Sequence, residues 1–404
     1  MKNIALLLAL LILITSFSLV SCTGNKENDD PADTTTITQN PIFSSSNNTT
    51  GGTNPPDKDP EDDTDDDPLN PGGTSSYKIY FDYELNDTED GYILTKCTVY
   101  REGDVTVPAE YEGLPVVGIG SGAFMGMSVM NVTLPNTIQF IDDRAFSMCS
   151  LLQYINLPSS LTYIAEDCFN GCSSLKGIAI PSGVEIIESG AFYNCESLTV
   201  VNFLADDVLE VIEDNAFAKC TSLRSIRIPS SVTSIGIRAF MECSVLTSVN
   251  IPDGVTVIED YLFANCPSLA SFNVPKNVTI IGEGAFYNCF ALARVTFAEE
   301  NIVYRIGSSA FENCKKLTEF TFPEGITDIE DRTLNNCESL KTVYIFGNVD
   351  SIGIYSLANC SSLTKIVYFS NEYDWIYIDK SSSWDRLSNE YTIEYIELED
   401  ESDE

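Results

Sequence analysis

The stretch AFMECSVLTSVNIPDGVTVIEDYLFANC, residues 239–266, holds one full unit of a pattern and the start of its next copy. It runs from Ala239-Phe240 to Cys243, Leu246, Val249, Ile251 and Pro252, then returns through Ile258 to Phe263 and Cys266. The same wording extends both ways. Cysteines stand at 149, 172, 195, 220, 243, 266, 289, 314, 337 and 360, spaced by 23 residues except for 25 at Cys195 to Cys220 and at Cys289 to Cys314. The aromatic position reads Phe124, Phe146, Phe169, Phe192, Phe217, Phe240, Phe263, Phe286 and Phe311, then Leu334 and Leu357. Counting the earliest copy, with Met127 in the cysteine position, there are eleven.

A period of 23 lies within the range of leucine-rich repeats, each unit a strand plus a turn or short helix. One unit cannot fold alone. About seven buried apolar side chains at ~2 kcal/mol each do not match ~1 to 2 kcal/mol of backbone entropy for every residue ordered. Each coil must therefore cover the next one's open face, which makes the chain a solenoid with nearest-neighbour energetics. The expected fold is an α/β-type leucine-rich-repeat solenoid of about eleven 23-residue coils, with parallel strands and short helical turns. It occupies 118–367, after an N-terminal cap unit at 77–117 and before a C-terminal cap and acidic tail at 368–404.

The wording Leu-x-x-Val-x-Ile-Pro followed by Ile-Gly/Glu-x-x-Ala-Phe-x-x-Cys resembles the BspA-like (TpLRR) family of leucine-rich repeats. Gly113-Leu114-Pro115-Val116-Val117-Gly118-Ile119 resembles that family's opening unit, and Tyr368-Phe369-Ser370-Asn371 with Trp375 and Trp384 resembles its closing cap. The two 25-residue units depart from the pattern: they lack the proline after the strand and carry Asp206-Asp207 and Glu299-Glu300. The resemblance implies a bacterial surface protein of the adhesin or host-protein-binding kind. It does not carry a ligand, because a shared scaffold does not imply a shared site.

The start of the chain reads as an address. Lys2, an apolar run from Ile4 to Phe17 and Leu19-Val20-Ser21-Cys22 form a secretory signal peptide over 1–21, the run being short and too interrupted for a membrane span. The tetrapeptide resembles a lipoprotein lipobox, which implies acylation of Cys22 and a membrane partnership through more than one acyl chain. Residues 22–76 hold twelve acids against Lys26 and Lys58 with almost no aliphatics, and are expected to form a disordered stalk. The acidic run 57–67 lacks the glycine and closing glutamate of a calcium loop. Lys26-Glu27-Asn28-Asp29-Asp30 is similar to surface-export signals, and Asp33-Thr34-Thr35 to an O-glycosylation acceptor. The expected location is the bacterial cell envelope, on its outer surface.

With 22 Lys+Arg against 60 Asp+Glu, the net charge of -38 excludes nucleic acid as a partner. The absence of histidine removes every Ser-His-Asp and Cys-His mechanism. No catalytic residue, metal site or cofactor is expected. The ten repeated cysteines read as an inward thiol ladder rather than disulfides, since stacked coils hold Cβ atoms ~4.8 Å apart, and Cys168 beside Cys172, the one local pair, reads as packing. Ser121, Asp143, Glu166, Ser189, Asp214, Asp260, Glu283, Ser308 and Asp331 precede the aromatic turn and read as N-caps of it.

In a strand with one face buried, the residues flanking the central Val point outward. The later position gives Thr133, Asn156, Ala179, Asn202, Arg227, Asn250, Asn273, Thr296, Thr321, Tyr344 and Val367; the earlier includes Tyr154, Arg294, Glu319 and Lys365. Glu319 is the single acid in those twenty-two positions. The expected site is this neutral to mildly basic face, offered to a host matrix protein, mucin or glycan, or another bacterial surface component. Small polar residues also suit a bare strand surface, and a scaffold role that uses the lateral faces is the alternative reading.

Overall fold

The computed structural model describes residues 79–397. Cys22 and the signal segment lie outside the described residues, as do the stalk and the end of the acidic tail. The chain first forms an antiparallel hairpin of β1 (Ile79–Leu85) and β2 (Tyr92–Val99). β2 then runs parallel to Leu114–Ile119, so the hairpin leads directly into the coiled part. Next, β3 (Gly103–Thr106) starts a ladder of thirteen outer strands that ends at Thr392–Tyr395. The repeat wording marks eleven; one further strand is added at each end, by sequence too degenerate to show the pattern.

Pairing is parallel and in register. Ser225, Ile226 and Arg227 lie beside Ser248, Val249 and Asn250, and Ser271 to Val274 beside Arg294 to Phe297. A second ladder of two-residue strands, unmarked by any alternation in the sequence, runs through Tyr163–Ile164, Ile186–Ile187, Val211–Ile212 and Ser234–Ile235. Its inward isoleucines are buried. Two residues per strand are too few for a period of two to be visible.

The aromatic turn is a third ladder, and here the expectation of short helical turns is corrected. Amide groups alternate in direction. The N–H groups of Arg144, Phe146 and Met148 donate to Glu166, Cys168 and Asn170 of the next coil, whereas those of Ala145, Ser147 and Cys149 close i→i+3 turns within their own coil. A helix aims every N–H along one axis within one segment, which would leave nothing for the neighbour. Alternation requires left-handed residues on both sides of the aromatic: Arg144 at φ 56° and Met148 at 60°, Asn215 at 57° and Lys219 at 62°, and so on through the coils. Asparagine tolerates that region better than most side chains, which explains why it precedes cysteine at 194, 265, 288, 313, 336 and 359.

Three of the nine expected caps act across coils rather than within the turn that follows them. Asp214, Asp260 and Asp331 accept from the N–H groups of Ile237, Glu283 and Ile354, each in the next coil, at 2.7, 2.7 and 2.6 Å. In the opposite direction, Glu188, Glu213 and Glu330 accept from the N–H groups of Glu166, Ser189 and Ser308 in the preceding coil. Each forward-reaching Asp lies against a glycine. A Cβ on Gly236, Gly282 or Gly353 would stand 2.4 to 2.5 Å from the Asp Oδ1.

The core is a set of columns. Nine phenylalanines from Phe124 to Phe311 stack with centroids 4.7 to 5.8 Å apart and planes within 22° of parallel. That offset arrangement suits the ring quadrupole. Every ladder cysteine donates its thiol to the carbonyl of the aromatic-position residue one coil earlier, Cys243 to Phe217 at 3.3 Å for example. Cysteine is thus a small hydrophobe that also gives a buried carbonyl its second hydrogen bond, beside the turn N–H of that carbonyl's own coil. All twelve described cysteines are buried free thiols. Burial pushes Cys243 and Cys289 up to about 12, which keeps the donors protonated at neutral pH. At the C-terminal end, α1 (Glu372–Tyr377) is capped by Asn371, and its Trp375 packs edge-on against Tyr368 and Trp384.

The thiol ladder yields a direct expectation. Native protein at pH 8 should leave these thiols unreactive toward an aromatic disulfide reagent, and unreduced protein in denaturant should release most of them as free. Cys243→Ala should cost about 1 to 3 kcal/mol in urea unfolding through its cavity and the loss of the second hydrogen bond to the Phe217 carbonyl. Recovery of more than half the thiols as disulfides would contradict the ladder.

Candidate binding face

The outer ladder presents one long surface whose side chains are set by strand alternation. Tyr154, Asn156, Asn202, Arg227, Asn250, Asn273, Arg294, Thr296 and Glu319 are all exposed there. Thr321, Tyr344 and Lys365 are half-buried, and Val367, expected outward and open, is fully buried. The ladder does not end at Val367. Thr392–Tyr395 continues it, so Val367 sits between Tyr344 and Glu394, while Tyr344 stacks on Phe369 at 6.4 Å. Burial first, then Glu319, pushes the Tyr344 hydroxyl up, with Lys365 opposing.

Side chains on the face differ in what they are free to do. Asn156 accepts from Leu134 N–H at 2.8 Å and donates to Leu134 C=O at 2.9 Å; Asn250 does the same for Ile228 at 3.0 and 3.1 Å. These two amides replace the backbone partner that the ladder lacks there, so they hold the scaffold. Asn273 accepts from the Thr296 hydroxyl at 2.5 Å. Lys176 lies 5.2 Å from the Tyr154 ring centroid. Arg227, 83% exposed, reaches Asp206 of the inserted loop at 3.5 Å, a contact weak enough to exchange for another partner. Arg294 has no ion-pair partner among the described residues.

The added end strands change the charge of the face. Asp104 of β3, which accepts from Asn131 at 2.6 Å, and Glu394, ion-paired with Lys365, join Glu319. Against them stand Arg227, Arg294 and Lys365, so the whole face is balanced rather than mildly basic. Between Tyr154 and Thr296, however, the two outward positions hold no carboxylate over seven successive coils. The missing acids could not be read from the repeat, because both lie in strands outside its recognisable wording. Among the described residues no group of three or more His, Cys, Asp or Glu side chains is arranged to hold a metal.

The profile of the BspA type leucine rich repeat region (6 copies) matches residues 114–208, 204–303 and 299–393. The chain belongs to this family. A leucine rich cell surface protein from Faecalibacterium prausnitzii is 28% identical, covering 77% of this chain and 100% of its own, with a TM-score of 0.46. The leucine rich repeat protein TpLRR of T. pallidum is 29% identical over 59% of this chain and 88% of its own, TM-score 0.38. The pneumococcal vaccine antigen PcpA is 20% identical over 79% and 88%, TM-score 0.53, which shows the shared fold alone. No curated protein matches the chain. For this BspA-type chain, the amide ladder on the face separates scaffold from surface by experiment. Asn156→Ala and Asn250→Ala should each cost about 1 to 2 kcal/mol by orphaning backbone groups, whereas Asn202→Ala should stay within ~0.5 kcal/mol. Equal losses at all three positions in chemical denaturation would remove the distinction.

Proposed function

We propose that this BspA-type chain is a non-enzymatic binding protein of the bacterial surface that receives its partner on the part of the outer strand face whose outward strand positions hold no acid. The single observation that carries the reading is the run of seven coils from Tyr154 to Thr296 without an outward acid, in a chain of net charge -38. At ~4.8 Å per strand that run is about 30 Å long, enough for a patch of a folded protein or a few sugar residues. The partner is a host matrix protein, mucin or glycan, or another bacterial surface component. Arg227 and Arg294 are its anchors and Tyr154 offers a partly open ring, since arginine and tyrosine concentrate binding energy at interfaces. The regular coils give catalysis little irregular loop to work with.

Binding of full-length protein to immobilised matrix proteins, mucins and polysaccharides tests this. The double change Arg227→Glu with Arg294→Glu should weaken the captured partner at least ~10-fold with an unchanged unfolding midpoint, because both side chains are exposed. Unchanged affinity would move the site off this face and favour the scaffold role.

Acylation at Cys22, outside the described residues, is proposed as the anchor. Metabolic labelling with a fatty acid should mark the wild type and not Cys22→Ser. Unlabelled wild type would sink the anchor and leave the face unaffected.

A further inference from the structure

The turn side departs from its own repeat at the C-terminal end, away from the strand face. One position after the aromatic, successive coils carry Asn335, Ala358 and Arg386, and two positions after it Asn336, Asn359 and Leu387, as the cross-coil bonds Asn336 N–H to Ala358 and Asn359 N–H to Arg386 fix. The small Ala358 between Asn335 and Arg386 leaves a cleft of about 310 Å3, lined also by Arg332, Tyr355, Asn359 and Leu387. That is at the lower end of small-ligand sites.

Two features of its lining point to a ligand. It contains two arginines and no acid, in a strongly acidic protein. The carboxylates beside those arginines in sequence are engaged elsewhere. Glu330 pairs with Arg305 at 2.8 Å and takes the Ser308 hydroxyl, Asp331 takes Ile354 N–H at 2.6 Å, and Asp385 takes the Tyr391 hydroxyl at 2.7 Å. Neither Arg332 nor Arg386 has an ion-pair partner among the described residues. Arg332 lies over the Tyr355 ring, 5.8 Å from its centroid. The Asn359 amide donates to Asn335 Oδ1 at 3.0 Å, so its own oxygen remains to accept a hydrogen bond. Leu387 stands 73% exposed at the rim, in a left-handed conformation at φ 62° that costs a leucine energy.

Two guanidinium groups lining one cleft suit an anion such as a carboxylate, and the Asn359 oxygen beside them suits a ligand that carries hydroxyl donors as well. The leucine rim would cover an apolar patch of a sugar ring or an N-acetyl methyl. We infer that this cleft is a second binding site, for a carboxylate-bearing sugar of the uronic or sialic type. It is independent of the strand face.

The test is calorimetric or saturation-transfer titration of the full-length chain with N-acetylneuraminic acid and glucuronic acid, beside galactose, acetate and inorganic phosphate. At least one acidic sugar should bind, more weakly as salt rises, and at least ~10-fold tighter than galactose, acetate or phosphate. Arg332→Gln with Arg386→Gln should lower that affinity at least ~10-fold. Leu387→Asp, which puts a carboxylate at the rim and suits the left-handed backbone better, should do the same without depending on the arginine variants folding. Arg227→Glu with Arg294→Glu should leave acidic-sugar binding intact, so failure here and failure of the strand-face reading are separate results. The inference is overturned if neither acidic sugar binds at roughly 10 mM, if acetate or phosphate binds as tightly, or if the cleft variants bind like the wild type.

Discussion

A coil of this protein cannot satisfy its own backbone. In the outer strands, the short inner strands and the aromatic turns, amide groups point along the stack and find their acceptors one coil away. Buried amides without partners are costly, so each coil is stable only between two others. The constraint reaches the turns because the residues two before and two after the aromatic are left-handed, which aims every second N–H at the neighbour instead of back along a helix.

The repeated side chains follow from that geometry. Asparagine recurs before cysteine because it accepts positive φ, and its amides then join coil to coil, Asn288 to Asn265 and Asn313 to Asn288, both at 2.8 Å. Glycine recurs opposite Asp214, Asp260 and Asp331 because a Cβ would collide with the carboxylate that reaches across. Cysteine recurs because its thiol both fills the core and meets a carbonyl left facing inward. Phenylalanine rings stack at the spacing the backbone ladders impose. Some of the acids serve the ladders directly: Asp214, Asp260, Asp331, Glu188, Glu213 and Glu330 accept backbone N–H groups across coils. The strand face, freed from that duty, can be left without acids over seven coils.

The columns of Phe, Cys, Leu and Ile were legible in the sequence because burial selects residue type at every turn of the same period. The strand face was legible for the same reason: alternation about the central valine determines which side chains point out. What the sequence hid depends on coil adjacency. Asp214 looks like a cap for the turn that follows it, and only the stacked structure shows that its partner is Ile237 of the next coil. Asn156 and Asn202 occupy equivalent positions and look alike in sequence, yet only the first is bound to the neighbouring backbone. Val367 reads as outward in its strand and becomes buried because a further strand, written in unrepetitive sequence, continues the ladder beyond it. The left-handed positions were half-visible, marked by Asn and Gly in some coils and masked by Arg144, Lys219 or Tyr261 in others.

A surface for recognition on such a scaffold is as firm as the ladders beneath it, and the turns are as much a part of them as the strands. Hydrogen–deuterium exchange on the native protein, resolved at the turn amides of Phe169, Phe192, Phe217 and Phe240 and at the outer-strand amides of the same coils, tests this most directly. Turn and strand amides should be protected to a similar degree, since both donate across coils. Turn amides that exchange orders of magnitude faster than the strands would contradict it, and would make the aromatic turns loops hung on a two-ladder core.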